Sequence, residues 1–206
     1  MPWQREGAVA AERERAVRAQ DPGTIKQWLV LAPIAFEGGT QERALRALEQ
    51  EHIAQEANLR PRAGDRAKVG ESERVWRKVQ LKDSLLDFNE FLGKVTEWSV
   101  AYAVCYIRSE AAQTGLLMKV GSDDQAKVYL NGKQIYRCEE ARACELDQDV
   151  VAGVELKAGL NVVVFNVVNG TGGWQGSVRF TDASSQPIKG IRVTLDPDAR
   201  NDNAHQ

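Results

Sequence analysis

Asp123 and Asp124 are adjacent carboxylates at the end of Gly121-Ser122-Asp123-Asp124, and like charges held side by side repel unless a cation relieves them. Calcium takes carboxylate and carbonyl oxygens from loops, so the pair is a candidate Ca2+ site. The same four residues also read as a simple turn, since Asp and Ser bond their own backbone and Gly supplies positive φ. Trp174 follows the glycine-rich run Gly170-Thr171-Gly172-Gly173 and precedes Gln175. A flat ring beside a polar side chain is what stacks on the apolar face of a pyranose and fixes its hydroxyls. Tyr129 and Asn131 offer a second pairing of that kind, with Tyr136 close by. Trp174, Gln175, Tyr129 and Asn131 are therefore the candidate ligand-binding residues, and each ring reads at least as well as core. Cys138 and Cys144 stand six residues apart in a loop, and a disulfide between them stapling a strand exit is expected, with two separate thiols as the alternative. Cys105 reads as a small buried hydrophobe.

Other chemistries are excluded by what the chain lacks. It has no GxSxG elbow and no CxxC pair, and His52 and His205 are its only histidines. His52 reads as a packed or solvated residue. The glycine run at 170–173 lies between two expected strands, where a phosphate loop would need a strand and a helix. Glu97, Asp123, Asp124, Glu139 and Glu140 are the carboxylates available for acid–base work, but nothing in their spacing sets two of them across a cleft. The expectation is a noncatalytic protein. A net charge of −2 leaves no basic footprint for nucleic acid. No apolar run approaches the ~18 residues that span a membrane. Residues 1–20 are charged throughout and carry no apolar leader core.

The elements that must position these residues are mostly strands. Residues 116–120, 127–130 and 133–137 form the centre, with Asn131-Gly132 between the last two as the strongest short hairpin signal. In residues 96–107, Trp98, Val100, Tyr102, Val104 and Tyr106 alternate with Ser99, Ala101, Ala103 and Cys105. That is a period-two strand whose small face lets another layer approach. Residues 25–32, 74–81, 150–156, 160–168, 174–181 and 190–195 read as further strands, Pro33 stopping the first. Residues 160–168 are apolar enough to be buried on both faces. Residues 85–92 are ambiguous, and 60–72 read as loop. A polar helix is expected over 3–19, ended by Asp21-Pro22-Gly23, and a second over 40–58 capped by Thr40. The domain organisation is then 1–24 as a helical extension, 25–195 as the sandwich and 196–206 as a polar tail. The fold expected is an all-β core, a two-layer antiparallel β-sandwich (jelly roll) with an N-terminal helix and one inserted helix. Its core is expected to include Trp28, Val79, Val100, Tyr102, Leu117, Val128, Leu130, Val163 and Phe165.

Several runs carry a resemblance along residues 25–195. They are Trp28-Leu-Val-Leu-Ala-Pro33, Leu48-Glu-Gln-Glu51, Trp76-Arg-Lys-Val79, Val100-Ala-Tyr-Ala103, Gly121-Ser-Asp-Asp124, Val128-Tyr-Leu-Asn-Gly132 and Leu156-Lys-Ala-Gly-Leu-Asn161. In this order the chain resembles the carbohydrate-binding-like jelly-roll modules of large secreted bacterial proteins, in the style of galactose-binding-like and PA14 domains. The resemblance implies a binding or accessory module placed extracellularly or in the periplasm, its partners glycans or domains of a parent protein. It implies calcium on Asp123 and Asp124. A structural or protein-interaction sandwich without a glycan ligand is the alternative.

Overall fold

The structure, a computed structural model, describes residues 23–199, so the helix expected over 3–19 lies outside the described residues. Within them, β1 (Gln27–Ala35) is followed by α1 (Gln41–Glu49), a single 3-10 turn (Glu56–Asn58) and four short strands: β2 (Arg66–Val69), β3 (Ser72–Val75), β4 (Arg77–Gln80) and β5 (Leu86–Asp87). After α2 (Phe88–Leu92) come β6 (Ser99–Ser109), β7 (Gln113–Asp123), β8 (Ala126–Leu130), β9 (Lys133–Cys138), β10 (Asp149–Leu156), β11 (Gly159–Asn169), β12 (Gln175–Thr181) and β13 (Ile191–Thr194). No described helix is long and apolar enough to cross a membrane.

The architecture is the expected all-β antiparallel sandwich. One sheet runs β4-β1-β6-β11-β8-β9, with β13 joining the edge of β6 beyond β1; the other runs β10-β7-β12-β5. Asn131 and Gly132 both take positive φ at the β8–β9 turn, as a two-residue hairpin of this twist requires. The small face of β6 (Ala101, Ala103, Cys105) turns to the inter-sheet core, which it shares with Trp28 and Phe165 of its own sheet and Met118 and Val178 of the other. Its large face (Val100, Tyr102, Val104, Tyr106) builds a second core beneath Ala44, Ala47 and Leu48 of α1. β11 contributes to both cores, which is why its sequence is apolar on every position from Val162 to Phe165.

Several local expectations are corrected. Pro33 does not stop β1; the register against β6 shifts between Leu31 and Ile34, so the residue without an N–H falls outside the ladder. The helix capped by Thr40, whose hydroxyl accepts from Arg43 N at 3.3 Å, ends at Glu49 rather than near residue 58. Residues 60–72 are not all loop, because β2 and β3 pair as a polar hairpin. Gly121, Ser122 and Asp123 are strand rather than turn, held in register by β12. Leu117 lies half-exposed, while Leu116, Met118 and Val120 face inward. Three consecutive apolar residues leave the phase of a strand undefined, and a one-residue slip exchanges its faces.

Candidate functional site at the Asp123–Asp124 end

The β7–β12 ladder fixes Asp123 opposite Gln175, and the β12–β5 ladder sets Gln175 opposite Asp87. Gln175 Nε2 donates to Asp87 Oδ2 at 2.8 Å. Asp87 also caps α2, its Oδ1 accepting from Glu90 N at 2.9 Å. Asp123 receives no such help: no hydrogen bond or ion pair reaches its carboxylate among the described residues. Its pKa is pushed up to about 6, by burial first and then by the Asp124 and Asp87 charges. The peptide bond between Asp123 and Asp124 is cis.

Asp124 is used differently. Its Oδ2 accepts from Gly170 N at 2.8 Å and its Oδ1 from Arg142 N at 3.1 Å. Burial still raises its pKa, against those two backbone donors. One side chain thus ties the end of β7 to the 170–173 loop and to the loop after β9. The Arg142 guanidinium extends the tie to Asp149 and, at 2.9 Å, to the Tyr136 hydroxyl. Arg142 holds the Asp149 carboxyl below its usual range.

The glycine run closes over this pair because side chains would obstruct it. A Cβ at Gly173 would overlap the Asp123 carboxylate, and one at Gly170 would come to 3.3 Å from Asp124 Oδ2. The ring at this end belongs to Trp98. It is partly exposed, stands edge-on to Phe36 at 6.1 Å and covers Gly38, where a Cβ would lie within the indole. Its six-membered ring comes within 3.7 Å of the position a Gly170 Cβ would take, beside Asp124. In the sequence Trp98 is one of the large residues alternating along the strand expected over residues 96–107. Its positive φ of 46° takes it out of that strand, a backbone feature with no signature in the residue type.

The other candidates fall elsewhere. Trp174 is fully buried, with Phe88 at 5.0 Å and its Nε1 donating to Val167 O at 3.4 Å, so it cannot stack a sugar. Gln175 does stand beside Asp123. Tyr129 is half-buried on the outer face of the large sheet, its hydroxyl donating to Glu56 Oε1 at 2.7 Å. Asn131 sits at the far end of β8, and both ends of its amide are occupied: Nδ2 donates to Asn161 Oδ1 at 2.9 Å and Oδ1 accepts from Val162 N at 3.0 Å. Its role is to lock the hairpin turn. Cys138 and Cys144 are not joined by a disulfide. Cys138 closes β9 pointing into the core, whereas Cys144 lies partly exposed in a loop that Gln148 holds by donating to Ala143 O at 3.0 Å. His52 bonds Ala47 O through Nε2 at 2.8 Å, and burial lowers its pKa.

As a calcium site, the pair supplies a minority of the six to eight oxygens the ion takes. No group of three or more His, Cys, Asp or Glu side chains able to hold a metal occurs among the described residues. Asp123 offers an unengaged carboxylate and Asp124 its remaining lone pairs, so a cation here would need backbone carbonyls, water or ligand hydroxyls to complete its shell.

A PA14 domain of the antifreeze protein MpAFP, solved by crystallography, is similar to this chain at 13% identity and a TM-score of 0.40, over 85% of this chain and 87% of that one. No protein-family model matches the sequence, and no curated protein does.

Proposed function

We propose that the chain is a noncatalytic binding module whose ligand site is the Asp123–Asp124 end of the sandwich. The ligand is a glycan whose hydroxyls complete the shell of a calcium ion on the two carboxylates. The observation that carries this reading is the half-buried Asp123 carboxylate, which lacks any hydrogen bond or ion pair among the described residues. A charge so placed is unfavourable unless an external cation meets it. Trp98 is the ring that would stack the sugar, in place of Trp174. Such a module acts outside the cell or in the periplasm, alone or beside the domains of a parent protein.

A second reading, a structural or interaction sandwich with no glycan, draws on Asp124, whose two oxygens already bind loop backbone. A glycan-array screen with calcium and with chelator separates the two. The expected result is calcium-dependent retention lost in both Asp123→Asn and Trp98→Ala. Retention of no glycan in either condition, together with no calcium-induced rise in Tm, would leave the second reading standing.

A further inference from the structure

The outer face of the large sheet carries a buried polar cluster that the binding site does not use. Lys127 on β8 and Asn166 on β11 are directly opposite in register, and Asn166 is in turn opposite Tyr102 on β6. Lys127 is 1% exposed and Asn166 is 0% exposed. Over this row lies the 3-10 turn with Glu56, itself 5% exposed. Its Oε1 accepts from Lys127 Nζ and, at 2.7 Å, from the Tyr129 hydroxyl, while Oε2 accepts from the Tyr102 hydroxyl at 2.5 Å. The carboxylate therefore bridges the two residues that flank Asn166. Asn166 itself is the exception: among the described residues neither Nδ2 nor Oδ1 has a hydrogen-bond partner. A fully buried carboxamide left unsatisfied is rare and demands a reason.

We propose that Lys127 and Asn166 are the reactants of an intramolecular isopeptide bond, with Glu56 as the proton carrier. Directly opposite residues on antiparallel strands hold their Cβ atoms about 4.5–5.5 Å apart, a gap that a lysine side chain spans with slack. The site excludes water, which keeps the acyl carbon from hydrolysis. The Lys127 ammonium first passes one proton to the Glu56 carboxylate along their hydrogen bond. The Nζ lone pair then forms a bond to Cγ of Asn166, and the negative charge moves to Oδ1. Glu56 gives its proton to Nδ2 and takes a second proton from Nζ. The Cγ–Nδ2 bond breaks, the carbonyl re-forms and ammonia leaves. The product is a Cγ–Nζ amide and a protonated Glu56; nothing is oxidised or reduced. The new amide presents a carbonyl and an N–H to Glu56, which answers the unsatisfied carboxamide.

The test is mass spectrometry of the purified full chain under denaturing, reducing conditions. The expected wild-type mass is one ammonia below that of the sequence, and digestion yields a branched peptide joining the segments that contain Lys127 and Asn166. Lys127→Arg and Asn166→Ala are each expected at full sequence mass with no branched peptide. Wild-type chain at full mass without a branched peptide overturns the proposal, whether or not the variants fold. So does a deficit that persists in Lys127→Arg.

Discussion

Replacing Asp123 by asparagine keeps the shape of the side chain and removes its charge, which isolates the electrostatic penalty at the candidate site. Because the native state raises this carboxyl to about 6, the folded protein binds the proton more tightly than the unfolded chain does. Stability from this group is therefore fully present below the ordinary carboxylate value near pH 4 and is lost as pH rises through about 6. Two decades in proton affinity correspond to about 3 kcal/mol for a fully desolvated group, at about 1.4 kcal/mol each. Asp123 is only half-buried, and solvent screening reduces this to about 1 kcal/mol. Asp123→Asn is thus expected to unfold about 2–4 °C higher than wild type at pH 7.5 in chelator and at the same temperature at pH 4. Calcium at about 100 times its Kd would stabilise the wild type by about 2.7 kcal/mol and leave the variant unmoved. Denaturant and thermal unfolding across pH 4–8, with calcium and with chelator, measure all of these. A variant less stable than wild type at pH 7.5, or a difference that does not change with pH, would refute the reasoning.

Asp124→Asn is expected to do the opposite, losing about 1–3 kcal/mol by equilibrium unfolding at pH 7.5, since an amide nitrogen replaces one of two acceptors that meet backbone N–H groups. Trp174→Ala removes a ring buried against Phe88 and should lower the unfolding free energy by about 3–5 kcal/mol; a change under about 1 kcal/mol would place the ring at the surface after all. Gly176→Ala sets a methyl group into the Phe165 ring, and a loss of about 1–3 kcal/mol in the same assay is expected from overpacking.

The strands of this sandwich were legible wherever period-two patterning or turn chemistry was strong. The alternation of large and small residues in β6 foretold a strand whose small face meets another layer, and Asn131-Gly132 foretold the β8–β9 hairpin; the second core beneath α1 was not legible. Where one local rule competed with tertiary pairing, pairing prevailed. Pro33 and Gly121-Ser122-Asp123 both look like interruptions, yet neighbouring strands carry the chain straight through them. At the site, the adjacency of Asp123 and Asp124 was visible, whereas Gln175 was legible only as the polar side chain after Trp174, and its place opposite Asp123 comes from the β7–β12 ladder. The ring was not, because sequence distance to the glycine run favoured Trp174 over Trp98, which β6 brings to the same end through its pairing with β11. The Glu56 cluster escaped for the same reason: Glu56, Tyr102, Lys127 and Asn166 are far apart in the chain and meet only once a loop folds over the large sheet.

The arrangement of strands along one edge of β6 bears on how this sandwich can be joined to other chains. β13 ends with Thr194 opposite Tyr106, and β1 passes Leu29 opposite Val104, so the last strand and the first lie end to end and run in the same direction. The two-residue step along β6 from Tyr106 to Val104 amounts to about 7 Å. Gln27 and Thr194 accordingly line one shared groove. The start of β1 and the end of β13 therefore lie close together, although the chain ahead of β1 first crosses to the other sheet, where Thr24 bridges Arg179 of β12. A short linker from β13 to β1, with new termini opened at the exposed β2–β3 turn, would give a circular permutant that retains every strand pairing of both large sheets.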